Sequence, residues 1–100
     1  MAKQVVWSHR AQEDRKNILN YRKQRNGSIT YSKKLNHLFK EAIRLLKNFP
    51  QVGKLTDQEN VRVKIVRDYL IIYEVTETTI YILTIWDSRQ DPEKLKKIFM

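Results

Sequence analysis

The stretch VRVKIVRDYLIIYEVTETTIYILTIWDSRQD, from Val61 to Asp91, decides the fold, because most of the chain's β-branched and aromatic residues lie in it. Valine and isoleucine alternate with Arg62 and Lys64 at its start, which is the period-two pattern of a strand with one apolar and one polar face. The segments 69–75 and 79–86 are apolar almost throughout, and polar turn residues precede each of them. Strands that are apolar on both faces are usually covered on both sides. The stretch therefore predicts three consecutive strands whose apolar faces must pack against other parts of the chain.

The last of these strands has a definite expected arrangement. Strict alternation divides its apolar residues between two faces, with Ile80, Ile82 and Trp86 on one and Tyr81, Leu83 and Ile85 on the other. Five polar residues, Asp87-Ser88-Arg89-Gln90-Asp91, then follow directly, so polar groups are expected at a strand end.

The segments before residue 50 predict a short strand and two helices. Gln4 to Trp7 is the strand, and Ser8 is the expected N-cap of a helix from His9 to about Arg25. Asn26-Gly27-Ser28 breaks this helix, with Gly27 suited to the left-handed position after its end. The second helix carries an apolar stripe at spacings of four and three residues, which Phe39 and Leu46 widen: Tyr31, Leu35, Leu38, Ala42, Leu45 and Phe49.

The remaining segments complete a single α+β domain over residues 1–100. Pro50 ends the second helix, and a loop is expected from Gln51 to about Asn60. Asp91 is an expected N-cap for a short helix from Lys94 to Met100. The predicted order is β-α-α-β-β-β-(α), with a helical hairpin packed on a small, mostly antiparallel sheet.

Composition limits the classes of protein that fit. The chain has no cysteine, which rules out disulfides and thiolate metal sites. No segment approaches the roughly 18 apolar residues of a membrane span. We therefore expect a soluble, cytoplasmic protein without a membrane contact.

The net charge of +9 predicts an acidic partner, such as a nucleic acid, a ribosome, a membrane surface or an acidic protein. Most of this charge lies in the two predicted helices, where it also fits solvated helix faces, while residues 61–91 are nearly balanced.

Several kinds of active site have no basis in the sequence. His9 and His37 lie on different helices without acidic companions at metal-ligand spacing, so neither a metal nor a cofactor is predicted. The remaining candidates lie on or beside the strands. Four are cations and one a possible general base: Arg62, Lys64, Arg67, Arg89 and Asp87.

These candidates permit two interpretations. The cations could hold phosphate, with Tyr69, Tyr73 and Tyr81 stacking bases and Glu74 as another possible base. Alternatively, Arg62 and Lys64 occupy an ordinary solvated strand face, Arg89 pairs with Asp87 or Asp91, and Tyr73 and Tyr81 are core aromatics with a hydroxyl at the edge.

The whole chain resembles the RelE/ParE superfamily of toxins from bacterial type II toxin–antitoxin modules. The matching features run along nearly its full length: Trp7-Ser8 with Ala11, Leu46 to Pro50 with Gly53, Val61-Arg62-Val63, Tyr69 to Val75, and Ile85-Trp86-Asp87-Ser88-Arg89. The resemblance implies the fold predicted above and a growth-arresting toxin that a cognate antitoxin neutralises.

The resemblance leaves the target open. RelE-like members cleave mRNA on the ribosome, whereas ParE-like members inhibit DNA gyrase without nuclease chemistry. Where nuclease members often have an arginine and a histidine, this chain has Leu70 and Asp87, while its charge favours a ribosomal target. A non-catalytic basic nucleic-acid-binding module is the remaining alternative. Candidate antitoxin contacts are Ile29, Tyr31, Leu95, Ile98 and Phe99.

Overall fold

The computed structural model describes residues 3–26, 29–91 and 93–95. Five strands and two helices form in the described residues: β1 (Gln4–Trp7), α1 (His9–Asn26), α2 (Ile29–Asn48), β2 (Lys54–Leu55), β3 (Val61–Val66), β4 (Tyr69–Val75) and β5 (Thr79–Asp87). The sheet order is β1-β5-β4-β3-β2, and only the β1–β5 pair of these strands is parallel. This arrangement confirms the predicted α+β fold, a helical hairpin on a mostly antiparallel sheet.

The predicted start of each helix-forming segment is confirmed where it is described. The Ser8 hydroxyl accepts a hydrogen bond from the Ala11 amide at 3.0 Å, as an N-cap does. The Asp91 carboxylate accepts one from the Glu93 amide at 2.9 Å. Residues 93–95 are helical, whereas the remainder of the predicted last helix and Gly27 lie outside the described residues.

The predicted loop from Gln51 to Asn60 is wrong in one respect, because it contains β2. Lys54 pairs with Val63 and Leu55 with Arg62, so β2 is a two-residue edge strand. A segment this short has no periodicity to reveal it. It is a strand only because its backbone pairs with that of β3.

The predicted stripe on α2 is also partly wrong. The buried residues of α2 are Ser32, Leu35, Phe39, Ala42, Ile43 and Leu46. Leu45 and Phe49 belong to the predicted stripe, yet they are 36% and 62% exposed. Leu35 and Ala42 of the stripe are buried as predicted, and so are Phe39 and Leu46, which widen it. Only the part of the stripe at Leu45 and Phe49 faces outward.

A β-bulge changes the faces of β5. Ile72 pairs with Thr84 and Tyr73 with Ile82, so Leu83 is the extra residue on β5. Ile85 consequently joins Ile80 and Ile82 in the main core against the helices. Trp86 lies instead in a second cluster with Val61 and Ile72. The predicted faces of Ile85 and Trp86 are therefore wrong, since strict alternation fails at the bulge.

The apolar row of β3 does not face the helices. Val61 and Val63 belong to the second cluster, while Arg62 and Lys64 pair with Tyr73 and Ile71, which lie in the helix-facing core. Since directly opposed residues share a face, both cations lie on the helix side of the sheet. No described helix is long and apolar enough to cross a bilayer.

Candidate functional site

Charged residues gather where β3 ends, β4 begins and β5 ends. Tyr69 pairs with Asp87 across β4 and β5, and the Ser88 amide donates a hydrogen bond to the Asp68 carbonyl oxygen at 2.8 Å. We call the residues at this point the strand-end cluster: Arg22, Asp68, Tyr69, Asp87 and Arg89.

Asp87 and Arg89 form the tightest contact of the strand-end cluster. Arg89 Nε donates to Asp87 Oδ1 at 3.0 Å, and Nη2 donates to Oδ2 at 2.8 Å. The Arg89 backbone amide also donates to Oδ1, at 2.9 Å. These hydrogen bonds from Arg89 are the main reason why the pKa of Asp87 lies below its ordinary value. The same pairing raises the pKa of Arg89.

This pairing determines what Asp87 can do chemically. A carboxylate whose pKa is lowered is a weak base, and both of its oxygens already accept hydrogen bonds from Arg89. In this conformation the hydrogen bonds from Arg89 compete with a role of Asp87 as a general base, and that role stays a prediction. The Arg89 charge is likewise matched by a neighbouring negative charge.

Arg22, which the sequence did not single out, links α1 to this cluster. Its Nε donates to the Tyr69 hydroxyl at 2.8 Å, and Nη2 lies 3.8 Å from Asp68 Oδ2. The guanidinium also lies over the rings of Tyr21, Tyr31 and Tyr69, at 5.6–5.8 Å from their centroids. The hydrogen bond with Tyr69 is the main cause of its raised pKa. Nothing in the local sequence distinguishes Arg22 from the other α1 cations, because its partners are distant in the chain.

Arg67 lies in the turn beside the strand-end cluster, and its backbone is strained. The turn has two residues, Arg67 and Asp68, and Arg67 has a φ of 56°. An L-residue with a side chain is disfavoured in this left-handed region, which glycine adopts freely. The Arg67 side chain is exposed and makes no hydrogen bond or ion pair with the described residues.

Arg62 holds a loop at the other end of β3. Its Nη1 donates to the carbonyl oxygens of Gln51 and Gly53 at 3.0 and 2.8 Å. The buried Tyr73 supports the same loop, since its hydroxyl donates to Pro50 O at 2.8 Å and accepts from Gly53 N at 3.0 Å. Burial raises the pKa of Tyr73. Arg62 thus has a structural role, and its catalytic role stays a prediction.

The five predicted site residues do not converge on one point. Arg67, Asp87 and Arg89 lie at the strand-end cluster, whereas Arg62 lies four residues before the end of β3, about 13 Å along the strand. Lys64 lies between them on the helix side and makes no ion pair with the described residues. A catalytic role for these residues remains a prediction.

Two of the three tyrosines proposed for base stacking are buried and so cannot stack on a base. Tyr69 and Tyr73 are 1% and 0% exposed, and only Tyr81, at 39%, presents a substantial surface. The alternative interpretation, that Tyr73 and Tyr81 are core aromatics, is confirmed for Tyr73, whose hydroxyl is hydrogen-bonded, and is wrong for the exposed Tyr81. Tyr69 also belongs to the core, and its hydroxyl accepts a hydrogen bond from Arg22.

A cleft of about 490 Å³ adjoins the strand-end cluster between α1 and β5. Asp14, on its α1 side, accepts hydrogen bonds from Thr84 Oγ1 and, at 3.2 Å, from the Ile85 amide. Asp14 therefore accepts the hydrogen bonds of donors on β5 beyond the point where β1 stops pairing with it. Among residues 3–26, 29–91 and 93–95, no group of three or more histidines or carboxylates could hold a metal ion.

Comparison with known proteins agrees with this architecture. No curated protein sequence matches the chain. A solved structure described as "Chromosomal ParDE TA system from P. aeruginosa" has a similar fold, with a TM-score of 0.72 and 18% sequence identity. The match covers 84% of this chain and 94% of that chain. The family model for the ParE toxin of the type II toxin–antitoxin system parDE matches residues 5–92. Because this match spans most of the sequence, the chain belongs to the ParE toxin family.

Proposed function

We propose that this protein is a growth-arresting toxin that a cognate antitoxin neutralises, and that it acts by binding its target rather than by cleaving RNA. DNA gyrase, the target of ParE-like toxins, is the target we propose. The protein would then act in the cytoplasm.

The Asp87–Arg89 pair is the observation that carries this proposal. An RNA-cleaving site needs a group that accepts a proton and a cation that stabilises the developing negative charge. Here the candidate base and the candidate cation neutralise each other, with N–O distances of 2.8–3.0 Å. Arg62, another candidate cation, is bound to loop carbonyls.

The antitoxin part of the proposal has separate support. The similar solved structure is described as a toxin–antitoxin system. The net charge of +9 makes an acidic antitoxin electrostatically favourable.

Purified gyrase provides the direct test of the target. We expect the toxin to inhibit supercoiling of relaxed plasmid, and we expect prior addition of the antitoxin to abolish the inhibition. In bacteria, induction of the toxin alone should arrest growth and activate a DNA-damage reporter. Normal supercoiling at a large molar excess of toxin over gyrase would overturn gyrase as the target.

Ribosome-dependent mRNA cleavage is the second candidate. Lys64 and Arg67 favour it, because they make no ion pair with any described residue and so leave positive charge for RNA. Primer extension on total RNA after brief induction distinguishes the two. New 5′ ends within translated codons, lost in Arg67→Ala, would establish cleavage. Their absence during growth arrest would support the binding mechanism.

A further inference from the structure

One side of α2 presents a row of basic side chains to solvent. Its members recur at spacings of four, three, four and three residues, which places them on one side of a helix: Lys33, His37, Lys40, Arg44 and Lys47. All five are exposed. We call this row the α2 basic stripe, and at 1.5 Å per residue it extends about 21 Å along the helix.

The positive charge of the α2 basic stripe is compensated only in part by the described residues. Its three lysines form no ion pair with any of them. Glu41 is the single acidic residue of α2, and its Oε1 lies 3.2 Å from Arg44 Nη1 and 3.8 Å from His37 Nε2. The lysines therefore keep their charge available for a partner.

The spacing of these cations disfavours the helix itself, because like charges three or four residues apart repel each other. Lys40 and Arg44 are four residues apart, and Arg44 and Lys47 are three apart. A helix face that is only solvated is typically laced with carboxylates that pair with its cations. Four cations with one carboxylate fit instead a surface that meets an anionic partner.

Lys16 of α1 lies beside the α2 basic stripe. It lines a cleft between the two helices together with Asn36. Lys40 follows Asn36 by four residues, about one helical turn, so both lie on the same side of α2. Glu13 and Arg15 line the same cleft and carry opposite charges. Lys16 therefore adds one positive charge at the edge of the stripe.

A phosphate backbone matches the α2 basic stripe in charge and in chemistry. Duplex DNA carries one negative charge per about 1.7 Å of its axis, so a segment as long as the stripe presents about twelve. Lysine and arginine side chains bind these phosphates without reading the base sequence. The stripe contains no apolar side chain, and a contact to phosphates requires none.

Three other occupants fit this surface less well. A protein interface has an apolar centre, which the stripe does not offer. A lipid bilayer would need exposed apolar side chains along the helix, whereas Leu35, Phe39 and Leu46 of α2 are buried in the core. A second copy of the chain would bring another charge of +9 toward the stripe, which is repulsive.

We propose that the α2 basic stripe binds the phosphate backbone of duplex DNA and holds the toxin on the DNA on which gyrase acts. This inference rests on the proposed function, because gyrase as the target is what favours DNA over RNA. The contact is independent of base sequence. It weakens steeply as salt rises, since each phosphate that a cation neutralises releases counterions.

The test measures the binding of purified toxin to a short fluorescent duplex DNA of mixed sequence, by anisotropy at several salt concentrations. The triple variant Lys33→Gln, Lys40→Gln, Lys47→Gln removes three charges and replaces them with a residue that also favours helix. We expect it to bind at least about tenfold more weakly at about 0.1 M salt. The slope of log K against log salt should become shallower by about 3.

Lys54→Gln is the matched control for the single variant Lys40→Gln, since each removes one exposed positive charge. Lys54 lies on β2 and pairs with Val63, which belongs to the cluster on the sheet face away from the helices. Lys40→Gln should make the slope shallower by about 1, and Lys54→Gln should leave it unchanged. Circular dichroism of each variant checks that the fold is retained.

Two results of the binding experiment would overturn this inference. Equal losses in Lys40→Gln and Lys54→Gln would mean that DNA responds to the net charge of the protein rather than to the stripe. Tighter binding of a duplex RNA of the same length would replace DNA with RNA as the partner.

Supercoiling by purified gyrase separates this inference from the proposed function. We expect the triple variant to inhibit supercoiling less than the wild type does. A wild-type toxin that inhibits gyrase without binding DNA would overturn this inference alone, and so would a triple variant that inhibits as strongly as the wild type. DNA binding through the stripe without inhibition of gyrase would overturn gyrase as the target but not the DNA contact.

Discussion

Arg89 holds the carboxylate of Asp87 with two side-chain N–H groups, at 3.0 and 2.8 Å, and with its own backbone amide. The contact spans two positions in the sequence and fixes the first residues beyond β5. Because the Ser88 amide between them bonds to Asp68 O, the same segment is also fixed to the β3–β4 turn. Hydrogen bonds therefore hold the polar residues at this end of the sheet in a defined conformation.

The Asp87–Arg89 pair predicts a pH-dependent contribution to stability. The pKa of Asp87 is lower in the folded protein, mainly through Arg89, than the ordinary value of about 3.9 expected when unfolded. The pair therefore stabilises the fold above pH 4, and this contribution is lost as pH falls through the folded pKa. We expect Asp87→Asn to lower the free energy of unfolding slightly at pH 7, since the pair is near the surface.

Urea denaturation of wild type and Asp87→Asn at pH 7 and pH 3 measures this dependence. The difference between the two proteins should shrink at the lower pH. A difference that stays constant or grows toward pH 3 would contradict the assigned direction of the pKa shift. Asp91→Asn is a suitable control, because Asp91 lies in the same exposed segment but forms no ion pair with the described residues.

The strained turn predicts opposite effects on stability and activity. Arg67→Gly removes a side chain from a backbone with φ of 56° and should raise the free energy of unfolding by about 1 kcal/mol. The same change removes an exposed cation beside the strand-end cluster. We therefore expect weaker growth arrest from a more stable toxin, measured by urea denaturation and by viable counts after induction.

Asn60 offers the matched control for this substitution. It also has a positive φ, of 65°, but asparagine tolerates the left-handed region better than arginine does. Asn60→Gly should therefore stabilise the protein less and leave growth arrest unchanged. Full toxicity of Arg67→Gly would remove Arg67 from the candidate site.

Gly53 is predicted to tolerate no larger residue. A Cβ at this position would lie 2.5 Å from the Tyr73 hydroxyl and 2.8 Å from Val63 O, and the latter is a backbone atom that cannot easily move. Gly53→Ala should therefore lower the free energy of unfolding by about 1–3 kcal/mol. Denaturation of Gly53→Ala, Tyr73→Phe and the double variant measures the coupling between these residues. Additive effects would show that Gly53 and Tyr73 do not act through a shared contact.

Much of this fold follows from local sequence patterns. Alternating apolar residues reveal β3, mostly apolar segments reveal β4 and β5, and capping residues such as Ser8 mark where a helix begins. The errors arise where residues distant in the sequence determine the strand pairing or the burial of a side chain. The bulge at Leu83 depends on how β5 pairs with β4, and Phe49 is exposed just beyond the last residue of α2.

The candidate site shows the same division. The sequence placed Arg67, Asp87 and Arg89 near turns and strand ends, and an Arg89–aspartate pair was among its two interpretations. It gave no indication of Arg22, whose contacts to Tyr69 and Asp68 cross more than forty residues. Tertiary contacts of this kind leave no local periodicity, so only the structure reveals them.

Asp14 is predicted to stabilise the contact between α1 and β5. It accepts hydrogen bonds from the Ile85 amide and from the Thr84 hydroxyl, which is 0% exposed. Asp14→Ala leaves both donors unsatisfied away from water and should lower the free energy of unfolding by about 1–3 kcal/mol. The neighbouring, exposed Glu13 is the control, since Glu13→Ala should change stability by less than about 0.5 kcal/mol.

Hydrogen exchange distinguishes loss of the Asp14 hydrogen bonds from general destabilisation, because the Ile85 amide should lose protection before the amides of β4 do. Equal loss of protection across β4 and β5 would mean that Asp14 acts on the whole fold rather than on this contact.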